Sequence, residues 1–252
     1  MTTWALDLDG VLWTGAVGIP GSSKAVERLR AHGHEVVFVT NNSFSTIGEQ
    51  EQKLAGFGID AVGRVLNSAL AGASLVDAGQ RVFVLGGAGI REAVTLRGAI
   101  VITDLDTAPD SLDAVLVGLD WDLTYGRLSL AVQAVLAGAR FVATNTDSTY
   151  PTERGLLPGA GALVGAVQAA TGVVPTVAGK PEAPLADLVR ARYGAVGIMV
   201  GDRADTDGAF AKTLGYEFGL VLSGVTRPAD LPVDPTPDVI GTNLAELVDR
   251  LA

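Results

Sequence analysis

The feature that most constrains this chain is a train of short apolar runs spread from end to end. They are Trp4–Leu8, Glu35–Thr40, Val82–Leu85, Ala99–Ile102, Ala114–Val117, Arg140–Ala143, Gly197–Val200 and Glu217–Leu222. Most are continuous β-branched or aliphatic stretches rather than alternating ones, the pattern of strands covered on both faces. Helix patterns lie between them. Lys24–Ala31 follows Ser22 and Ser23 as candidate caps and stops at Gly33; Thr46-Ile-Gly-Glu49 forms a capping box for a helix closing near Gly56. Tyr125–Ala137 and Gly161–Thr171 follow, the latter stopped by Gly172. Strand–helix–strand repetition predicts an α/β fold with parallel sheets and right-handed crossovers. A Pro-rich loop at 228–237 precedes a last strand (Asp238–Ile240) and a terminal helix (Asn243–Leu251).

Composition removes several function classes. The 252 residues suit one large domain or two modest ones. Cysteine is absent, which excludes disulfides, thiolate metal sites and a Cys nucleophile, and the two histidines (His32, His34) sit in one short segment. Eighteen basic against 28 acidic residues leave a formal charge of −10, without the basic footprint that nucleic acid or an anionic membrane requires. No apolar stretch approaches the ~18 residues of a membrane span. Acidic residues come too early for a signal peptide, so a cytoplasmic setting is expected.

Four short motifs carry candidate chemistry. Asp7-Leu8-Asp9-Gly10-Val11 ends the first apolar run, where open α/β sheets bind ligands. Taken alone it reads equally as an Asp-Gly turn; a calcium loop is excluded because its fifth position is Val11. Thr40-Asn41-Asn42-Ser43 ends the second run and reads as an anion cradle or a helix-cap loop. Lys180, alone in a loop, reads first as a solvent-exposed lysine, although the flanking Gly179 and Pro181 fix a backbone path and so a direction for it. Gly201-Asp202-Arg203-Ala204-Asp205-Thr206-Asp207 follows the apolar Val196–Val200, and carboxylates gathered at a buried strand tip call for a divalent cation or a helix N-cap role. Gly86-Gly87-Ala88-Gly89 resembles half of a dinucleotide fingerprint, but Glu92 breaks the spacing and a nucleotide role is rejected. Gly159 and Gly161 read as tight packing.

The order of these motifs resembles the haloacid dehalogenase-like superfamily, and within it subfamily IIA, the NagD-like and p-nitrophenyl-phosphatase-like phosphatases. The resemblance extends through 38–43 (FVTNNS), 117–125 (VGLDWDLTY), 143–147 (ATNTD), 156–164 (LLPGAGALV), 178–181 (AGKP), 201–207 (GDRADTD) and 220–226 (LVLSGVT). It departs at Gly208 and Phe210, and at Phe44-Ser45, where relatives often carry a basic residue. The resemblance implies a Rossmann-like core, residues 1–79 and 179–252, interrupted by an α/β cap of the C2 type at 80–178. It implies a phosphomonoester hydrolase that uses Mg²⁺. Asp7 would be the nucleophile and Asp9 the general acid and base; Asp7, Asp9, Asp202 and Asp207 would serve the metal. Thr40, Asn41, Asn42 and Lys180 would bind the phosphoryl group; Arg203 could add to their charge, with a structural salt bridge the first expectation for it. Cap residues Asn145, Asp147, Thr149 and Tyr150, with Ser148, would face the leaving group. The expected substrates are small organic phosphates: glycerol phosphate, phosphoglycolate, a sugar phosphate or p-nitrophenyl phosphate. A pyridoxal phosphate-type aromatic ester, phosphoryl transfer to a second sugar, and an inactive phosphometabolite-binding protein are the alternatives. A small-molecule phosphate ester is the expected partner, with no nucleic acid and no membrane, and a homodimer through the cap is a further possibility.

Overall fold

The computed structural model describes residues 2–152 and 155–251. In chain order the elements begin with β1 (Thr3–Leu6), the short β2 (Trp13–Thr14) and β3 (Val17–Gly18), α1 (Ser22–Ala31), β4 (Glu35–Thr40), α2 (Ile47–Gly56) and β5 (Val65–Asn67). There follow α3 (Ser68–Ala73), β6 (Arg81–Leu85), α4 (Ala88–Leu96), β7 (Ile100–Ile102), β8 (Ala114–Val117), α5 (Tyr125–Leu136) and β9 (Arg140–Ala143). The remainder are β10 (Thr149–Thr152), β11 (Gly155–Pro158), α6 (Ala160–Thr171), β12 (Thr176–Val177), α7 (Ala183–Tyr193), β13 (Gly197–Gly201), α8 (Ala209–Leu214), β14 (Glu217–Val221), β15 (Val239–Gly241) and α9 (Leu244–Leu251).

The chain divides into two compact units. The first comprises Met1–Thr40, Gly48–Leu66 and Lys180–Ala252. Its sheet has the order β15-β14-β13-β1-β4-β5, with β1 parallel to both β13 and β4. Burial explains the unbroken apolar strands: Trp4, Leu6, Val36 to Val39, Met199 and Val200 are all inaccessible or nearly so. From β1 the chain builds outwards through β4 on one side, then returns to build through β13 on the other. The order therefore reverses between β1 and β13, which leaves a crevice at their carboxyl ends. Helix α1 is capped by Gly21, whose positive φ of 84° suits glycine, and not by a serine as expected; Ser22, its first residue, instead donates to the Val11 carbonyl at 3.0 Å.

The second unit comprises Asn41–Ile47 and Asn67–Gly179. It takes in the span 80–178 expected for the cap and adds 41–47, 67–79 and Gly179. Its sheet is all parallel, in the order β12-β9-β8-β6-β7. Phe83, Leu85, Val115, Val117, Phe141, Leu130 and Val167 form its core on the α5–α6 side. A β10–β11 hairpin rises from it, antiparallel, with Tyr150 opposite Leu157. Among the described residues no helix is long and apolar enough to cross a membrane.

Candidate active site

The first unit places Asp7, Asp202 and Asp207 together at the crevice between β1 and β13. All three are buried, and each offers a carboxylate oxygen within 4.8 Å of the others. Asp7 leaves the tip of β1, its backbone N–H bonded to the Val200 carbonyl at 2.9 Å. Asp202 follows β13 directly, and Asp207 lies in a short π-helical turn, Ala204–Gly208, that opens α8. The turn folds Asp207 back so that it accepts the Arg203 N–H at 3.2 Å. Arg203 pairs with Asp205 at 2.8 Å, the structural salt bridge expected of it.

A buried lysine answers this charge. Lys180, 4% exposed, donates to Asp7 Oδ1 at 2.6 Å and to Asp207 Oδ1 at 2.7 Å. Burial alone would lower its pKa, but Asp207 and Asp7 outweigh that and hold the ammonium charged. The carboxylates are under the opposite pressure. Burial pushes Asp7 well up against the pull of Lys180, and Asp207 and Asp202 add to the rise. Burial and then the Asp207 charge push Asp202 up to about 6, although the Val225 N–H supports its ionised form at 2.6 Å. Three buried carboxylates around one ammonium are short of positive charge, the environment a hard divalent cation with oxygen ligands satisfies. The backbone is shaped to the same end. A methyl group on Gly10 or on Gly224 would overlap Asp202 Oδ2, and Gly10 has a φ of 80° that only glycine adopts readily. Ser223 Oγ fastens this turn by donating to the Gly10 carbonyl at 2.7 Å.

Asp9 stands apart from the cluster. Its side chain is exposed and accepts the indole N–H of Trp13 at 2.8 Å, which fixes its direction beside the crevice. Trp13 was invisible as a site residue in the sequence, since an apolar residue four positions on reads as core. Thr40, the last residue of β4, is buried in the first unit.

The second unit organises the remaining candidates around Asn41. Its carbonyl accepts from Ser68 Oγ at 2.7 Å and from Asn145 Nδ2 at 2.8 Å, and its side-chain amide donates to Asp147 Oδ2 at 3.2 Å. Asn145 and Asp147, expected at the leaving group, are thus brought to Asn41. Asn42 uses its side-chain oxygen to accept the N–H groups of Phe44 and Ser45 at 3.0 and 3.2 Å, a local turn. Ser148 and Thr149 are exposed. Tyr150 is 37% exposed and meets Trp121 edge-on at 6.4 Å, while Trp121 leans on Phe44 at 5.6 Å. Trp121, 62% exposed, is a further aromatic that its position in a loop motif did not single out.

A family model described as haloacid dehalogenase-like hydrolase matches residues 4–99, and a second of HAD-hydrolase-like type matches 177–247. The chain is 38% identical over 236 residues to an acid sugar phosphatase of Staphylococcus haemolyticus, covering 90% of this chain and 88% of that one. Among solved structures, a p-nitrophenyl phosphatase from Archaeoglobus fulgidus superposes with a TM-score of 0.92 at 29% identity, covering 99% of both chains. A glycerol phosphate phosphatase from Mycobacterium tuberculosis, in complex with magnesium, superposes at 0.89 with 33% identity, covering 98% of this chain and 76% of that one.

Proposed function

Because the chain belongs to the haloacid dehalogenase-like hydrolases, we propose that it hydrolyses small phosphate monoesters with Mg²⁺, using Asp7 as nucleophile. The observation that carries this reading is the trio Asp7, Asp202 and Asp207 gathered around Lys180 at a strand-tip crevice. Mg²⁺ held by the Asp7 and Asp202 carboxylates and the Asp9 backbone carbonyl, with Asp207 in support, would supply the positive charge the cluster lacks and screen the nucleophile from the phosphoryl oxygens. Lys180 then keeps the Asp7 carboxylate ionised and aimed. An Asp7 oxygen attacks phosphorus, the P–O bond to the leaving group breaks, and Asp9 donates a proton to the departing alkoxide. Water next attacks the aspartyl-phosphate, giving its proton to Asp9; phosphate leaves and Asp7 is restored. Thr40 and Asn41, with Lys180, bind the phosphoryl oxygens where charge accumulates. Asn42 contributes through the turn it closes.

Two cap features bear on substrate. Thr149 and Tyr150 are assigned to leaving-group choice, while Asn145 and Asp147 act by holding Asn41. The names acid sugar phosphatase and glycerol phosphate phosphatase support a small hydroxylated ester as the substrate class, while the name p-nitrophenyl phosphatase fits an aromatic ester. The test is phosphate release from glycerol phosphate, phosphoglycolate, sugar phosphates, p-nitrophenyl phosphate and pyridoxal phosphate, with Mg²⁺ and with excess chelator. Mg²⁺-dependent release is expected, with hydroxylated esters ahead of pyridoxal phosphate. No release from any ester, or undiminished release in chelator, refutes the reading.

A further inference from the structure

The second unit is itself a doubly wound sheet. Its first strand, β6, has β7 on one side and β8 on the other, so the winding reverses between β6 and β8. Outside the carboxyl ends of two such strands an open parallel sheet takes its ligand. The loops at that position are Gly86-Gly87-Ala88-Gly89, which leads into α4, and the chain after Val117, which begins at Gly118. What fills the position is the chain's own segment 43–47. The Gly89 N–H, in the first turn of α4, donates to the Phe44 carbonyl at 2.8 Å. Glu92, one turn on, accepts the Ile47 N–H at 2.9 Å. Ser43 Oγ bonds Thr144 Oγ1 at 2.9 Å, both side chains being buried.

The glycines are needed for approach, not for conformation. Neither Gly87, Gly89 nor Gly118 has a positive φ. A methyl on Gly87 would lie 2.7 Å from the Phe44 carbonyl oxygen, one on Gly89 2.7 Å from that of Ser43, and one on Gly118 2.8 Å from Ser43 Oγ. The Gly-rich loop that resembles half a nucleotide fingerprint thus receives main-chain carbonyls where such loops receive phosphate oxygens. Upstream, Ser68, Asn145 and Asp147 grip Asn41. Asn41 is peptide-bonded to Thr40, so the grip fixes the backbone on which both phosphoryl-binding candidates stand.

We propose that segment 41–47 is the internal ligand of the cap sheet, and that Gly87, Gly89, Thr144 and Glu92 are positioning residues for the phosphate-binding turn at Thr40–Asn41. The functional half of this rests on the hydrolase reading above; the docking half does not. Gly89→Ala tests it. At an unobstructed helix position this change would favour the helix. Here it must push Ser43–Ser45 away. Two readouts are taken: amide hydrogen exchange across 41–47, and calorimetric affinity for inorganic phosphate with Mg²⁺ present, beside affinity for Mg²⁺ alone. Faster exchange confined to 41–47, phosphate affinity reduced at least fivefold and Mg²⁺ affinity within twofold of wild type are expected. A change that merely loosened the fold would not spare Mg²⁺. Unchanged exchange overturns the docking; faster exchange with unchanged phosphate affinity overturns the positioning role. If Gly89→Ala does not fold, Thr144→Val, which removes only the hydroxyl bonded to Ser43, is read in the same way. A wild-type protein that releases no phosphate from any ester overturns the hydrolase reading alone, and exchange still decides the docking.

Discussion

Lys180→Met replaces the ammonium that bridges Asp7 and Asp207 with an apolar chain of similar length. Lys180 donates at 2.6 and 2.7 Å to Asp7 and Asp207 from a site that is 4% exposed. Its removal leaves carboxylates that share a 4.8 Å neighbourhood without the ammonium that pairs two of them. Removing one partner of a buried ion pair costs about 3–5 kcal/mol. At roughly 2–4 °C per kcal/mol for a chain of this size, the Tm in chelator at pH 7.5 should fall by about 6–20 °C. The deficit depends on pH in a defined direction. Asp202, pushed up to about 6 from an ordinary 3.8, takes a proton more readily folded than unfolded, as does Asp7. Native protein therefore binds more protons than unfolded protein between those values, and without metal its stability falls as pH rises through that window. Loss of Lys180 moves both groups further up, so the deficit should be greatest near neutrality and shrink towards pH 5. Saturating Mg²⁺ should also shrink it, by replacing the missing charge. Thermal unfolding of wild type and variant, at pH 5 and 7.5, with chelator and with Mg²⁺, measures all of this. A deficit under about 3 °C in chelator at pH 7.5, or one that grows on acidification, would refute the electrostatic account.

Asp7→Asn should fold yet release phosphate from no ester, since an amide cannot attack phosphorus; more than about a tenth of wild-type kcat would remove the nucleophile assignment. Gly224→Ala should weaken Mg²⁺ binding about tenfold or more in calorimetry, because the methyl overlaps Asp202 Oδ2 while the backbone there has no positive φ to strain. Affinity within twofold of wild type would show that Asp202 need not stay where it is. Tyr150→Ala removes the ring that meets Trp121 edge-on, and should shift the ratio of kcat/KM between p-nitrophenyl phosphate and glycerol phosphate several-fold, within the roughly 10–200-fold that one pocket contact is worth. One common fall across all esters would assign Tyr150 to packing instead.

The catalytic unit was legible because its chemistry is written locally. Asp7 ends an apolar strand and Asp202 follows another, so the hydrophobic runs put each carboxylate at a strand tip; that the two tips adjoin was implied by the resemblance and is seen in the pairing of β1 with β13. Glu35–Thr40, Ala114–Val117 and Arg140–Ala143 form strands with the bounds that their apolar runs imply. Short elements escaped. The β2–β3 pair has two residues per strand, too few for any period, and α3, SALAGA, carries no amphipathic pattern because almost all of it is buried. Helix α4 was hidden by the glycines at its start. Those glycines answer to Phe44, some forty residues earlier, and Asn145 answers to Asn41 across 104 positions. Pairings at such separations leave no trace in local spacing.

The grouping of 41–47 with 67–179 bears on modular exchange. An enzyme engineer who moves a substrate-selecting insert between relatives would cut where the insert departs from the catalytic fold and where it returns. In this chain a graft cut at 80 and 178 carries the α4 amide, Glu92 and Thr144 away from Phe44, Ile47 and Ser43, and presents them with whatever the host has after its own counterpart of β4. The transferable module is discontinuous. Chimaeras that carry the donor's seven residues 41–47 along with 67–179 should keep both activity and the donor's preference, and those that omit them should inherit neither.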